Sequence, residues 1–281
     1  MHFINRSHVI ENILRFTLAE TGEVPSVAEL RNVFFQCLNN RQSIRLSATP
    51  NASILFSDSD LARSDVIVGM VKSEGVVTNA EVEEKERSYV TRNIKHALML
   101  IRHLEPRLAG MIDLLVSDFV IIDAIGLSGG TASNALGCIW LSPLRQWTTI
   151  DFAEAILHES IHLSLFMGDV VHGLYISAKK VREPEAMCIS AIRKVARPVD
   201  KALHSACVAA SLWYFYAALG NDGLAATFVL PLKACLKNLQ EKPSFFLSDY
   251  GKAVVRVTSD YVEAGDPLRL PDYIGAQLTT I

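Results

Sequence analysis

The chain has 281 residues, half of them hydrophobic, with 27 Lys and Arg against 30 Asp and Glu and a formal net charge of -3. This length allows a large buried core, and the charge balance excludes a protein that wraps nucleic acid with a basic surface. The N-terminus has no basic segment followed by an apolar one, and the five cysteines form no CxxC pair, so we expect a cytoplasmic protein with reduced thiols.

The first part of the chain is predicted to be mainly helical. Apolar residues at helical spacing predict helices over 27–38, 79–104 and 105–117. The segment 47–75 has a less regular pattern, and we expect an irregular excursion there. We predict an N-terminal helical region over 1–75, to which the sequence assigns no role, and a metal-binding catalytic domain over 76–281, the two continuous as one domain.

The character of the sequence changes after Ser117. The run "FVIIDAI" (119–125) is typical of a strand, "GLSGGTASNALG" (126–137) is a loop of small residues, and "CIWLS" (138–142) is a second short strand. The two strands predict a small hairpin or mini-sheet just before the next helix. The predicted fold class is therefore mainly α (α+β), a helical domain with a small antiparallel β element next to a helix that carries His-Glu-x-x-His.

The last third returns to helical patterns. Helices are predicted over 198–219, 225–239 and 247–265, followed by an irregular tail over 266–281. The window 202–220 is almost long and apolar enough to cross a membrane. It contains His204 and lacks flanking aromatic and basic residues, so we interpret it as a buried helix and expect no membrane association.

The motif His-Glu-x-x-His occupies residues 158–162, on a helix that starts at Thr148 or Thr149. His158 and His162 are one helical turn apart on the same face, so both imidazoles can reach one metal ion. Glu159 is rotated by about 100° from His158, where it can orient a metal-bound water or support a ligand. The motif predicts a metal site, and Glu159 is its candidate catalytic residue.

A metal needs at least one further ligand. Glu183 and Glu185 lie at the distance from the motif where one class of zinc peptidases has its third ligand, but in a charged segment with a proline between them. His172 lies near a glycine-bounded turn and is expected at the surface. His204 lies near the start of the apolar helix, where burying a polar ring without a partner is costly, which favours it as a ligand.

Basic residues lie just before the helix that carries His204. Pro198 suits the first position of that helix and Asp200 its first turn, with Arg193 and Arg197 immediately ahead. A helix N-terminus with an adjacent arginine favours anions, and arginine binds a carboxylate through two parallel hydrogen bonds. This arrangement suits a carboxylate co-substrate better than a peptide bond.

Taken together, these segments resemble a known family, the HExxH-motif proteins of bacterial peptide-modification gene clusters. The resemblance covers about residues 90 to 220 and is carried by four segments: "HALMLIRHLEPRLAGMIDLLV", "GGTASNALGCIWLS", "LHESIHLSLF" and "ISAIRKVARPVDKALHSACVAASLWYF". In the last segment, a Ser, an Arg, an Arg-Pro pair and a His precede a long apolar helix, here Ser190, Arg193, Arg197-Pro198 and His204. Members are understood as iron(II)- and 2-oxoglutarate-dependent peptide β-hydroxylases.

The resemblance implies a function and a set of site residues. His158, His162 and His204 would bind Fe(II), while Arg197 or Arg193, together with Ser190, would bind 2-oxoglutarate. The expected activity is that of a non-haem dioxygenase, an oxidoreductase that hydroxylates a side-chain β-carbon in a ribosomally synthesised peptide. Its expected partner is a peptide or protein substrate, with or without a leader segment, and not nucleic acid.

Two alternatives remain open from the sequence. The first is a zincin-type zinc metallopeptidase in which Glu159 is the general base, with Glu183 or Glu185 as third ligand. The second is a non-catalytic peptide-binding protein that retains a metal. The sequence does not reveal the substrate peptide or the oligomeric state.

Overall fold

The computed structural model describes residues 1–71, 76–78, 82–241 and 244–275. The chain forms two compact units, one made of Met1–Val9 with Met167–Ile281 and the other of Ile10–Phe166. The helices are α1 Arg6–Thr21, α2 Leu30–Arg41, α3 Leu61–Val71, α4 Glu84–Leu104, α5 Pro106–Leu115, α6 Thr149–His172, α7 Val199–Ala218, α8 Asp222–Glu241, α9 Asp249–Glu263 and α10 Leu270–Gly275. The strands are β1 Ser53–Phe56, β2 Val76–Thr78, β3 Asp118–Ile121, β4 Asp123–Ile125, β5 Gly129–Gly130, β6 Cys138–Leu141, β7 Met187–Ile189 and β8 Ala196–Pro198. The fold is mainly α with some β, as predicted.

A small mixed sheet forms part of the core of the Ile10–Phe166 unit. Its strand order is β1-β3-β6-β5, with β1, β3 and β6 parallel and β5 antiparallel to β6. The central residue Val120 lies between Leu55 of β1 and Trp140 of β6. Every residue of β3 and β6 is buried, which explains why both strands have mostly apolar sequences without alternation.

The predicted pairing of the two strands after Ser117 is corrected by the structure. β3 and β6 run parallel instead of forming a hairpin, because the long connection between them lets the chain cross back before β6 begins. The antiparallel partner of β6 is β5, inside the segment predicted as a loop. The indole of Trp140 lies 2.3 Å from the position that a Cβ on Gly130 would occupy, so β5 requires glycine there.

The prediction of an irregular excursion over 47–75 is wrong for most of the described residues in that range. This segment contains β1, which extends the sheet, and the helix α3. Arg63 of α3 forms an ion pair with the buried carboxylate of Asp118 at 3.4 Å, which ties α3 to the start of β3. Residues 72–75 of this segment lie outside the described residues.

The helices predicted in the first half are confirmed as α2, α4 and α5. Of the helix predicted over 79–104, residues 79–81 lie outside the described residues. α4 ends ahead of Pro106, and the side chain of Glu105 caps α5 by accepting a hydrogen bond from the backbone N–H of Arg107 at 3.0 Å. α4 and α5 pack against each other within this unit.

The other unit is built around α7, which packs against α8 and α9. All residues of α7 from 202 to 216 are buried, so the apolar window is a core helix as predicted. Over the described ranges, the structure has no helix with the length and apolarity needed to span a membrane. The tail predicted as irregular from residue 266 contains a 3-10 turn and α10, and residues 276–281 lie outside the described part.

Candidate metal centre

The helix that carries the motif, α6, begins at Thr149 as predicted. The backbone N–H and the hydroxyl of Thr148 both donate to the carboxylate of Asp151, at 2.6 and 2.7 Å, in the first turn. The hydroxyl of Thr149 donates to the side-chain oxygen of Asn93 on α4 at 2.8 Å. These contacts fix the start of α6 and connect it to α4.

The two histidines of the motif lie together on one face of α6. The ring centroids of His158 and His162 are 5.0 Å apart, with the ring planes inclined by 59°. The side chain of His158 is 28% exposed, and His162 is likewise only partly buried. Phe166, one turn further on, stacks on His162 with the centroids 6.4 Å apart. The predicted pair of neighbouring imidazoles is present, and both rings are partly exposed.

Glu159 lies between the two histidines in sequence and is nearly buried, with its side chain 12% exposed. Its Oε1 atom is 3.9 Å from Nε2 of His158, too far for a hydrogen bond but close enough to interact electrostatically. Burial raises the pKa of Glu159 to about 8. In the metal-free protein the carboxyl is therefore mostly protonated at neutral pH.

The arginines lie on a β-hairpin that the sequence did not predict. Its strands β7 and β8 pair antiparallel, with Cys188 opposite Arg197. Ser190 is buried at the start of the loop, and its hydroxyl accepts a hydrogen bond from the backbone N–H of Arg193 at 3.1 Å. Lys194 adopts a positive φ of 58°, which closes the loop. The side chain of Arg193 is exposed and that of Arg197 is partly exposed.

The hairpin is tied to the helix turn that carries His204. The backbone N–H of Ala191 donates to the hydroxyl of Ser205 at 3.0 Å, and that hydroxyl donates to the carbonyl of Ala202 at 2.8 Å. His204 is buried, and its pKa is lowered to about 3 by burial and, to a smaller extent, by the charge of Lys201. Its imidazole is therefore neutral, as metal coordination requires.

The start of α7 differs slightly from the prediction. Pro198 is the N-cap residue and not the first helical residue, because it ends β8 and still has extended backbone angles. Asp200 lies in the first turn, as expected for a carboxylate at a helix N-terminus.

The other candidate ligands lie on or near short turns. Glu183 lies between two consecutive 3-10 turns and Glu185 lies in the second of them; both are exposed, in agreement with the charged turn predicted there. Over the described residues, no three His, Cys, Asp or Glu side chains form a group that could hold a metal. The arrangement on α6 is thus a pair of candidate ligands with a carboxyl group beside them.

His172 is half-buried, and it ends α6 instead of lying in the turn beyond it. Its ring stacks on that of Tyr250 with the centroids 4.5 Å apart. His8 stacks on His172 at 5.6 Å, and its Nε2 atom is 2.9 Å from the hydroxyl of Tyr250. No local sequence signal connects these three residues, because they come from three distant helices.

Comparison with known proteins leaves the family open, since no protein-family model matches the chain and no curated protein shows significant similarity to it. The function is therefore proposed from the residues and their geometry.

Proposed function

We propose that the protein is an iron(II)- and 2-oxoglutarate-dependent oxygenase that hydroxylates a side-chain β-carbon in a ribosomally synthesised peptide. The observation that carries the proposal is the pair of partly exposed imidazoles on α6, His158 and His162, with ring centroids 5.0 Å apart. The arginine-bearing hairpin that leads into α7 and its buried His204 supports the choice of co-substrate.

The residues suit a divalent iron ion in their chemistry. Neutral imidazole is a common ligand of iron, and the spacing of four residues on one helix presents two such nitrogens together. When bound with 2-oxoglutarate, iron(II) supplies dioxygen activation, in which the co-substrate is converted to succinate and carbon dioxide and one oxygen atom enters a substrate C–H bond.

The chain's own residues have distinct tasks in this proposal. His158 and His162 hold the ion, and His204 is the candidate for the third nitrogen ligand. Arg197, or Arg193 beside it, binds the distal carboxylate of 2-oxoglutarate through paired N–H donors. Ser190 keeps the loop that carries Arg193 in shape through the hydrogen bond at 3.1 Å.

Glu159 has a positioning task. Its carboxyl group is neutral near pH 7 in the metal-free protein, so it adds no charge beside His158 before the ion binds. A nearby cation lowers the pKa of a carboxyl, so Glu159 would ionise where the histidines hold an ion. Its carboxylate would then act on His158 electrostatically, since Oε1 of Glu159 is 3.9 Å from Nε2 of that ring.

A zinc metallopeptidase is the second candidate, and one observation favours it. A general base works best when its pKa lies near the working pH, and burial brings Glu159 into that range. This alternative needs a third ligand such as Glu183 or Glu185, and both of these side chains are exposed, at the junction of two 3-10 turns and in the second turn. A non-catalytic peptide-binding protein is the third candidate.

The deciding experiment is an anaerobic reconstitution. The protein is purified without oxygen, supplied with iron(II), 2-oxoglutarate and a peptide encoded beside its gene, and then exposed to air. We expect succinate and a peptide product one oxygen atom heavier. Tight stoichiometric zinc, together with peptide cleavage that Glu159→Gln abolishes, would contradict the oxygenase and establish the peptidase. Peptide binding with neither reaction would establish the third candidate.

A further inference from the structure

A groove follows the outer face of α4, in the Ile10–Phe166 unit. Its volume is about 730 Å³. Among the described residues, it is lined by side chains that recur every three or four positions of α4 from Glu84 to Met99, and by Phe56 at the end of β1. The opposite face of α4, which includes Val90, Ile94 and Ala97, is buried in the unit. The groove is therefore the solvent side of an amphipathic helix.

The groove is predominantly basic. Arg87, Arg92 and Lys95 line it, against a single carboxylate, that of Glu84, among its described lining residues. Arg87 is partly neutralised, since it forms an ion pair with Asp58. Arg92 and Lys95 are exposed, and no ion pair to either is found in the described part of the chain.

The groove has exposed apolar surface at one end of its charged stretch. Met99 is 58% exposed there, and methionine adapts its shape to different apolar partners. At the other end Phe56 is buried, and the guanidinium of Arg87 lies over its ring, 5.0 Å from the centroid. Cations beside an exposed apolar contact suit a ligand that combines acidic and apolar groups.

We propose that this groove binds an acidic, extended peptide segment. Glu84 to Met99 spans about 22 Å of helix at about 1.5 Å per residue, which matches about six or seven residues of an extended peptide at about 3.3 Å each. Carboxylates of the peptide pair with Arg92 and Lys95, and an apolar side chain packs on Met99. That this peptide segment is part of the enzyme's substrate rests on the proposed function. That the groove binds such a segment does not.

The charge of the groove and of the whole chain favours a peptide over a nucleic acid as the ligand. Binding to nucleic acid is dominated by contacts between basic residues and phosphates, commonly several at once. Here Arg92 and Lys95 face the groove without an ion pair to any described residue, and the whole chain has a net charge of -3. A short peptide with a few carboxylates matches this charge, while a polyanion would meet repulsion outside the groove.

The test uses metal-free full-length protein and a fluorescein-labelled eight-residue peptide of alternating Glu and Leu, followed by fluorescence anisotropy at low salt. We expect saturable binding that weakens about tenfold in Arg92→Glu/Lys95→Glu and with a peptide in which Gln replaces Glu. The matched control is Lys179→Glu/Lys180→Glu, which makes the same change in net charge on an exposed turn of the other unit. Melting curves verify that each variant is folded.

Three results would overturn the proposal. They are equal binding by the wild type and the Arg92/Lys95 variant, equal weakening in the Lys179/Lys180 control, and tighter binding of single-stranded DNA than of the peptide. Failure of the proposed oxygenase is recognised separately, because this binding needs no metal. Binding of the peptide without formation of succinate would support the proposed groove and contradict the proposed oxygenase.

Discussion

Burial of Glu159 makes the stability of the metal-free protein depend on pH. The carboxyl has a pKa of about 8 in the folded protein and an ordinary value of 4.5 in the unfolded chain. Between these values the folded state holds one more proton, so the free energy of unfolding falls as pH rises. The protonated carboxyl of Glu159 contributes fully to the free energy of unfolding below pH 4.5, and this contribution is lost as pH rises through 8.

Replacing Glu159 tests this link directly. In Glu159→Gln, we expect the fall in unfolding free energy between pH 5 and 8 to be shallower than in the wild type, by up to roughly 1.4 kcal/mol per pH unit. The measurement is urea unfolding at several pH values with a chelator present. Parallel pH profiles for the two proteins would show that Glu159 titrates normally.

The candidate ligands can be tested one at a time. His158→Ala and His162→Ala each remove an imidazole from the pair on α6, so we expect iron(II) affinity to fall about 100-fold or more. His204→Ala is expected to lower the iron(II) affinity by a similar factor, since His204 is the candidate third ligand. The control is His103→Ala, an exposed histidine of α4. Anaerobic metal titration gives the affinities, and unchanged metal binding in His204→Ala would remove that residue from the ligand set.

Some of these residues could be assigned from sequence, and others could not. The joint position of His158 and His162 follows from helix geometry alone, so a spacing of four was sufficient to predict it. The contact of His172 with His8 and Tyr250 depends on how distant helices pack, and no local pattern encodes it. The raised pKa of Glu159 likewise depends on burial by residues from the folded unit.

At the scale of elements, the turn after α6 meets the start of α9 so closely that only glycine fits. A Cβ on Gly251 would lie 2.3 Å from the carbonyl oxygen of Leu174. That carbonyl accepts a hydrogen bond from the backbone N–H of Ser248, and the hydroxyl of Ser248 donates to the carbonyl of Gly173 at 2.6 Å. The backbone at this contact therefore has little freedom to move away.

Gly251→Ala should therefore destabilise the protein by about 1–3 kcal/mol, since it inserts a methyl group into packed backbone. The matched control is Gly223→Ala in α8, where a Cβ would meet no atom within 4 Å. There we expect a neutral or slightly stabilising change, because alanine favours helix more than glycine does. Thermal and urea unfolding of both variants provide the comparison. Equal stability of the two variants would refute the close contact.

The helices were easier to predict than the strands, for a physical reason. A helix of 21 residues such as α4 repeats its apolar spacing many times, so its pattern is clear. β5 has two residues and β7 and β8 have three each, too few to show any period. The parallel pairing of β3 with β6 depends on chain crossing, which the residues of the two strands do not specify.

At the scale of the whole molecule, the cysteines provide a probe in each unit. All five are reduced and buried. Cys37 and Cys138 belong to the Ile10–Phe166 unit, and Cys188, Cys207 and Cys235 belong to the other. Burial raises the pKa of these thiols where a shift is resolved, to about 11 for Cys235. Since the thiolate is the reactive form, such thiols react slowly in the folded protein.

We expect no thiol to react with a chromogenic disulfide reagent at pH 8 in the native protein and all five to react after denaturation. The thiols are then labelled at increasing urea concentrations, and mass spectrometry identifies which cysteines have reacted. Because each unit has its own cysteines, their labelling reports the unfolding of that unit. Rapid native labelling of Cys138 or Cys207, both 0% exposed, would contradict the packing described for these cores.

The burial of α7 from residue 202 to residue 216 has a consequence for how the protein is made. During translation, α7 emerges from the ribosome exit tunnel while α8 and α9, the helices that pack against it, are still inside the tunnel or not yet synthesised. For that interval a mostly apolar segment lacks the two helices that cover it in the folded protein, and such segments attract chaperones and aggregate. Nascent chains stalled just after α7 has emerged from the tunnel should therefore capture the chaperones at the ribosome exit, and chains long enough for α9 to emerge should release them.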